Sequence, residues 1–420
     1  MSPQVSTPQY DVIVVGSGFG GVAAARRLAR SDKSVLVISA AAQYLFQPLL
    51  YQVATGVLDA DTISPAASDV LSDRITVVEG RVTAVDPDAH RVTYRSEDGE
   101  RQVGYSSLIA ATGASQSYFG RDEYAHRTFA LKTRDDAVRL REQLVRNFAR
   151  PDDRAASNYV IVGAGATGVE LAGEIAGLAK RHQRADVTIT LVEGVDDVLP
   201  AYGGRLSRYA RRSLEKAGVD VLLKSLVTDI DDGVVTVDIE KGSATRRITA
   251  DTVIWAAGVA ASPFAQVLAD ATGCSTDRAG RLEVNPDLTV GGYADIYAIG
   301  DMTTLNGYPG QSPVAMQEGR HAADTITRKI GPGTSFRYFD KGSMSIIGRG
   351  KAVLQTPVKV GLTGLPAWGA WLAVHLYYLS GVGNRVDAVG RWIGAYGANR
   401  RPGVDAAERS DDRELARTAS

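Results

Sequence analysis

Cysteine is almost missing from this chain, with Cys274 standing alone among 420 residues. A single thiol forms neither a disulfide framework nor a Cys-based zinc site, and it excludes any mechanism that needs a redox-active cysteine pair. No metal site is expected. Long apolar runs are missing too. The nearest to one, Leu365 to Leu379, spans 15 residues with His375 inside it, short of the ~20 that a bilayer-spanning helix requires. Neither sign of charge dominates, with 47 Lys and Arg against 48 Asp and Glu, so no basic field draws nucleic acid and none is expected as a partner. Met1 to Gln9 is polar and rich in Pro, Ser and Thr. Without a basic start and an apolar core it does not read as a signal peptide, and a cytoplasmic location is expected.

What is present is glycine, in a context that repeats. The buried-strand pattern Tyr10-Asp-Val-Ile-Val-Val15 runs into Gly16-Ser-Gly-Phe-Gly-Gly21 and on into the helical Val22-Ala-Ala-Ala-Arg-Arg-Leu28. About one domain later Tyr159-Val-Ile-Val162, Gly163-Ala-Gly-Ala-Thr-Gly168 and Val169-Glu-Leu-Ala-Gly-Glu-Ile175 do the same. In such a turn Gly16 and Gly163 permit the tight bend, Gly18 and Gly165 let the backbone approach a pyrophosphate, and Gly21 and Gly168 let helix pack on strand. The helix N-terminus then offers free N–H groups and a positive dipole end to the phosphates. One such turn is weak evidence, but two in strand-turn-helix context predict two nucleotide folds. Each is followed by a strand ending on small residues, Ser107-Leu-Ile-Ala-Ala-Thr-Gly113 and Thr252-Val-Ile-Trp-Ala-Ala-Gly258.

The acid expected about 20 residues past each turn, where it would hold an adenosine ribose, separates the two copies. Glu193 ends Thr188-Ile-Thr-Leu-Val-Glu193 and favours NADH, because a carboxylate there repels a 2′-phosphate. In the first copy Val35-Leu-Val-Ile-Ser39 ends on Ser39, which leaves one hydroxyl in place of the acid. Further on, Ala294-Asp-Ile-Tyr-Ala-Ile-Gly-Asp301 is a strand stopping on an acid, and it is placed back in the first fold. The expected class is therefore α/β, with two nested Rossmann-like domains and a C-terminal helical segment. The expected ranges are 8–115 and 285–332 for the first domain, 116–284 for the inserted one, 333–403 for the C-terminal region and 404–420 for a flexible tail.

The stretch Leu45-Phe-Gln-Pro-Leu-Leu-Tyr-Gln-Val-Ala-Thr-Gly56 is too specific for a generic turn. With it, and with Ala111-Thr-Gly-Ala114, Val162 to Glu170, Phe339-Asp-Lys-Gly-Ser-Met344 and His375-Leu-Tyr-Tyr-Leu379, the sequence resembles the type II NADH dehydrogenases, single-chain NADH:quinone oxidoreductases. The resemblance implies FAD in the first domain, its pyrophosphate at Gly16, Gly18 and Gly21, with Ser39 nearby and Gln47 and Pro48 beside the isoalloxazine. Thr112 and Gly113 would pass close to the cofactor, and Asp301 would bind its ribityl or pyrophosphate arm. NADH would be held by Gly163, Gly165, Gly168 and Glu193. Glu170, Gln317 and Lys341 would place a quinone of the menaquinone or ubiquinone type and supply charge. Here the pattern loosens: Pro313, in Ser312-Pro-Val-Ala-Met-Gln317, replaces a family glutamine and removes both a side-chain amide and a backbone donor.

Leu362 to Tyr396 interleaves Trp368, Trp371, Tyr377, Tyr378 and Trp392 with aliphatics, and four Arg stand against one Asp between Asn384 and Arg401. That composition suits weak attachment to the inner face of the cell membrane, with a dimer interface or a core helix as the alternative. His375 is expected to be packed and hydrogen-bonded. The implied chemistry is hydride transfer from NADH to flavin and two electrons onward to quinone, with no proton pumped. Two other readings stay open: a soluble NADH-dependent reductase of a quinonoid metabolite, and a non-catalytic NADH-sensing flavoprotein.

Overall fold

The computed structural model describes residues 7–148 and 157–397. The chain divides into two compact units, one made of Met1–Leu45, Pro65–Ser115 and Val259–Asp340, the other of Phe46–Ser64, Gln116–Gly258 and Lys341–Ser420.

The first unit is built around the strand Gln9–Val15, whose Val12, Ile13 and Val14 are wholly buried. An unbroken apolar run of this kind suits a strand covered on both faces, which calls for parallel neighbours. It pairs in parallel with Val35–Ser39 on one side and Gly99–Ala110 on the other. Val35–Ser39 pairs onward with Ile75–Glu79, and Gly99–Ala110 with Tyr293–Ala298, both in parallel. The chain thus builds outward on one side of the central strand and then crosses to the other. The switch point, at the carboxyl ends of Gln9–Val15 and Gly99–Ala110, is where an open α/β sheet takes its ligand. Beside it the helix Phe19–Leu28 packs on the helix Ser312–Ile326 through small residues. A Cβ on Gly319 would lie 2.3 Å from the Gly20 carbonyl oxygen. Arg27 closes that packing with a two-pronged ion pair to Asp324 at 2.6 and 2.9 Å.

The second unit repeats the plan with four parallel strands in the order Val219–Leu222, Thr188–Val192, Asn158–Val162, Thr252–Trp255. The antiparallel sheet Ser225–Asp231, Val234–Ile239, Ala244–Thr249 adds Val235 and Val237 to the core of Val160, Val253 and Trp255. The long helix Ala166–Arg181 also carries a C-terminal sheet of Ser343–Gly348, Lys351–Gln355 and Gly361–Thr363. There a Cβ on Gly173 would lie 1.8 Å from the Ile347 carbonyl oxygen, so only glycine allows the approach. The helices Leu365–Tyr378 and Val382–Trp392 follow.

These units draw their boundaries differently from the ranges expected above. Residues 259–284 fold with the first unit, because Leu282–Glu283 pairs in parallel with Thr303–Thr304 and the helix Pro263–Thr272 packs on the strand Arg81–Asp86. Phe46–Ser64 folds with the second, its short helix Leu50–Ala54 lying on the helix Arg134–Phe148. Residues 341–397 also fold with the second unit. The tail expected at 404–420 lies outside the described residues. Among the described residues no helix is long and apolar enough to cross a membrane.

Candidate functional site

Each unit carries one glycine turn at the carboxyl edge of its parallel sheet, and the two turns share one geometry. Gly16 has φ +106°, and a Cβ there would stand 2.5 Å from the Ala111 carbonyl oxygen; Gly163 has φ +100°, and its Cβ would stand 2.9 Å from the Ala257 nitrogen. A side chain on Gly21 or on Gly168 would meet the carbonyl oxygen of Gly16 or Gly163 at 1.9 Å. Between them, Gly18 and Gly165 cap their helices with extended backbones, ψ −170° and −175°. A Cβ on either would touch nothing within 4 Å. The bend and the helix packing are thus closed to side chains, while the middle glycine of each turn faces open space at a helix N-terminus. A pyrophosphate fits such a cradle, accepting from backbone N–H groups at the positive end of a dipole.

Around the first turn, Ser39 ends its strand buried, its hydroxyl 2.7 Å from that of Ser17. Thr112 and Gly113 follow the strand Gly99–Ala110. The Thr112 hydroxyl is 2.5 Å from that of Ser262, and the Gly113 carbonyl accepts from the Ser262 N–H at 3.0 Å. Asp301 stands in the turn after Tyr293–Ala298, on the same edge. That turn is held by a residue the sequence did not single out: Glu318, nearly fully buried, accepts the Gly300 N–H at 2.6 Å. Burial pushes the Glu318 carboxyl up to about 7; the Gly300 bond lowers it and the Asp301 charge raises it. Gln47 and Pro48 lie in the second unit, in the turn Gln47–Leu49.

Around the second turn, Glu193 follows the strand Thr188–Val192 as expected, and its carboxylate accepts the Ala164 N–H at 2.6 Å and the Val195 N–H at 3.1 Å. Glu170 lies in the first turns of the helix Ala166–Arg181, buried, with the Ser345 hydroxyl 3.4 Å from Oε1. Desolvation raises its carboxyl to about 8, against hydrogen bonds from the Ile346 backbone and Ser345; the nearby Glu174 adds a further upward push. One helical turn on, Glu174 accepts from the Tyr396 hydroxyl at 3.5 Å. Gln52 joins this cluster: its Oε1 accepts from the Trp392 indole at 2.7 Å, while its Nε2 donates to Tyr51 at 2.9 Å and Tyr396 at 3.3 Å. Such a network orders the amide, because an indole nitrogen can only donate.

The residues expected at a quinone are placed less simply. Gln317 commits its amide to the backbone, Oε1 accepting the Phe339 N–H at 3.0 Å and Nε2 donating to the Phe339 and Pro313 carbonyls at 3.0 and 3.1 Å. It fastens the Phe339 segment. Lys341 donates to the Tyr378 hydroxyl at 3.3 Å and lies over that ring. Pro313 occupies the first turn of the helix Ser312–Ile326, where a backbone N–H has no helical partner, so the lost donor counted against it above costs that helix nothing. His375 is packed as expected, stacked on Trp371 at 3.8 Å with Nδ1 2.7 Å from the Trp371 carbonyl, and burial lowers it to about 4. Of the aromatics expected on the C-terminal helices, Trp371 and Trp392 are buried and Tyr377 is 73% exposed, while Val382, Val386 and Ile393 stand 75%, 67% and 66% exposed.

The model of the family described as pyridine nucleotide-disulphide oxidoreductase matches residues 10–319. The type II NADH:quinone oxidoreductase NdhA of Mycobacterium tuberculosis is 40% identical over 414 residues, covering 93% of this chain and 88% of the relative. Ndh of the same organism, with the same description, is 37% identical over 429 residues, covering 96% and 92%. Among solved structures, NDH2 from Plasmodium falciparum matches with a TM-score of 0.83 at 19% identity, over 93% of this chain and 98% of that one, a likeness of fold. Paired glycine cradles and near full-length relatives agree, and the chain belongs to the pyridine nucleotide-disulphide oxidoreductases and, among them, to the type II NADH:quinone oxidoreductases.

Proposed function

We propose that this protein passes electrons from NADH through bound FAD to a quinone of the menaquinone or ubiquinone type, without moving protons across a membrane. The observation that carries the reading is the pair of glycine cradles, of which only the second has a ribose acid, Glu193. FAD supplies the redox chemistry when bound, accepting hydride and returning two electrons. Gly16, Gly18, Gly21, Thr112, Gly113 and Asp301 would hold it in the first unit, with Ser39 replacing the acid and Glu318 fixing the Gly300–Asp301 turn. Gln47 and Pro48 stand in the turn Gln47–Leu49 of the second unit, and a flavin-facing role for them is only what the family resemblance implies. Gly163, Gly165, Gly168 and Glu193 would hold NADH, Glu193 selecting against a 2′-phosphate by charge.

Glu170, raised to about 8, keeps its carboxyl protonated at neutral pH, which suits a group that delivers a proton as a quinone is reduced. Lys341 offers a positive charge for a developing quinol anion. Gln317 serves as a positioning residue through its clamp on Phe339. The exposed stripe Val382, Val386, Val389 and Ile393, at helical spacing, is proposed to rest on the inner surface of the cell membrane. A second copy of the chain is the competing occupant of that stripe. The test is steady-state turnover of the purified protein with NADH and a short-chain quinone in the absence of oxygen. Quinone-dependent loss of NADH absorbance is expected, and NADH left intact with every quinone tried would overturn the proposal.

A further inference from the structure

The strand order of the second unit fixes which way a dinucleotide runs along its edge. Glu193 ends the strand on one side of Asn158–Val162, and Thr252–Trp255 lies on the other. With the pyrophosphate at the glycine turn and the adenosine ribose at Glu193, the nicotinamide riboside half extends toward the end of Thr252–Trp255. The backbone there is unusually well fastened by one short segment. Gln116 donates from Nε2 to the carbonyls of Ala257 and Gly258 at 2.6 and 2.8 Å, and the Ser117 N–H bonds Gly258 at 3.3 Å. The Trp255 indole donates to the Ser117 carbonyl at 2.9 Å.

The same segment ends in Phe119, a bulky residue in the left-handed region at φ +54°. That backbone is strained for a non-glycine residue, and such strain persists only where surrounding contacts over-determine it. The ring gains little by burial, since it is 70% exposed. It is instead laid against Gly258, where a built Cβ would meet its Cζ at 2.6 Å, and lies 6.4 Å from the Trp255 ring. A strained backbone that presents an exposed aromatic face at this end of the sheet has no role in the core.

We infer that Phe119 covers the nicotinamide ring of NADH, and that Gln116 is the positioning residue that fixes the Ala257–Gly258 backbone beneath it. The inference rests on the NADH site proposed above. It is tested by calorimetric titration of the FAD-loaded protein with NAD⁺ and with ADP-ribose, which lacks the nicotinamide. Phe119→Ala is expected to weaken NAD⁺ by roughly 3- to 10-fold, the worth of one aromatic contact, and to leave ADP-ribose unchanged. Phe119→Tyr, which keeps the ring, is expected to bind both as the parent does. Equal weakening of both ligands, or of neither, by Phe119→Ala overturns the inference. A Glu193→Gln protein that binds ADP-ribose as tightly as the parent would instead refute the underlying NADH site, so the two failures are told apart.

Discussion

Substituting Glu193 by glutamine removes a negative charge from the end of Thr188–Val192 while keeping an acceptor for the Ala164 N–H. Charge-assisted bonds to a ribose are then lost, and kcat/KM for NADH should fall by roughly tenfold while discrimination against NADPH narrows. An unchanged NADH to NADPH ratio in steady-state kinetics would remove Glu193 from the ribose site. Glu170 makes a prediction about pH. Its carboxyl sits at about 8 in the folded chain against 4.5 for the ordinary group, so the native state binds this proton more tightly than the unfolded one. Stability therefore falls as pH rises through that window, and Glu170→Gln should abolish the loss. The variant's gain in unfolding free energy over the parent should be near zero at pH 4.5 and largest above pH 8, where it is on the order of 5 kcal/mol. A gain independent of pH would mean that Glu170 is not buried in its neutral form. Gly16 through Glu193 were legible in the sequence because steric exclusion and charge act locally. Gln317 was read as a site residue without its clamp, and Glu318 was not singled out at all, because their partners are fixed by tertiary contact: Phe339 lies 22 positions from Gln317, and Gly300 lies 18 from Glu318.

At the scale of elements, the glycine turns give a pair of variants that separate the two nucleotide-binding turns. A methyl on Gly21 would lie 1.9 Å from the Gly16 carbonyl, and a methyl on Gly168 equally close to Gly163, so each substitution pushes a helix off its strand. Gly21→Ala should purify with little FAD. Gly168→Ala should retain FAD and raise KM for NADH by about tenfold, from 1–3 kcal/mol of overpacking. FAD content by absorbance and KM by steady-state assay check both, and equal loss of FAD in the two variants would contradict the assignment of one nucleotide to each turn. The C-terminal helices were harder to read. Their aromatics look outward-facing by composition, yet Trp392 donates to buried Gln52, and Arg391 turns to Asp387 and Asp59 rather than to solvent. Four aliphatics at helical spacing are left outside. Val386→Glu with Ile393→Glu should cut cosedimentation with anionic vesicles several-fold while leaving turnover of a water-soluble quinone analogue intact. Undiminished vesicle binding would remove the stripe as the membrane contact.

Over the whole molecule, one structural solution is used twice. Each unit has a central buried strand, a glycine turn and a switch of sheet direction at the strand's carboxyl end. The repeat was visible in the sequence because doubly covered strands and helix-packing glycines leave so little choice of residue. What divides the two copies chemically is a single position, serine at 39 and glutamate at 193, and the account rests on that difference meaning a retained flavin in one and an exchanging NADH in the other. Boundaries were less legible, since Phe46–Ser64 and the residues after Gly258 are allotted by long-range packing that no local pattern encodes. The most direct measurement is the visible spectrum of the purified protein, recorded before and after an equivalent of NADH is added without oxygen. The account predicts a flavin absorption band that NADH bleaches. A colourless protein that takes up no added FAD, or a band that NADH leaves unchanged, would contradict it.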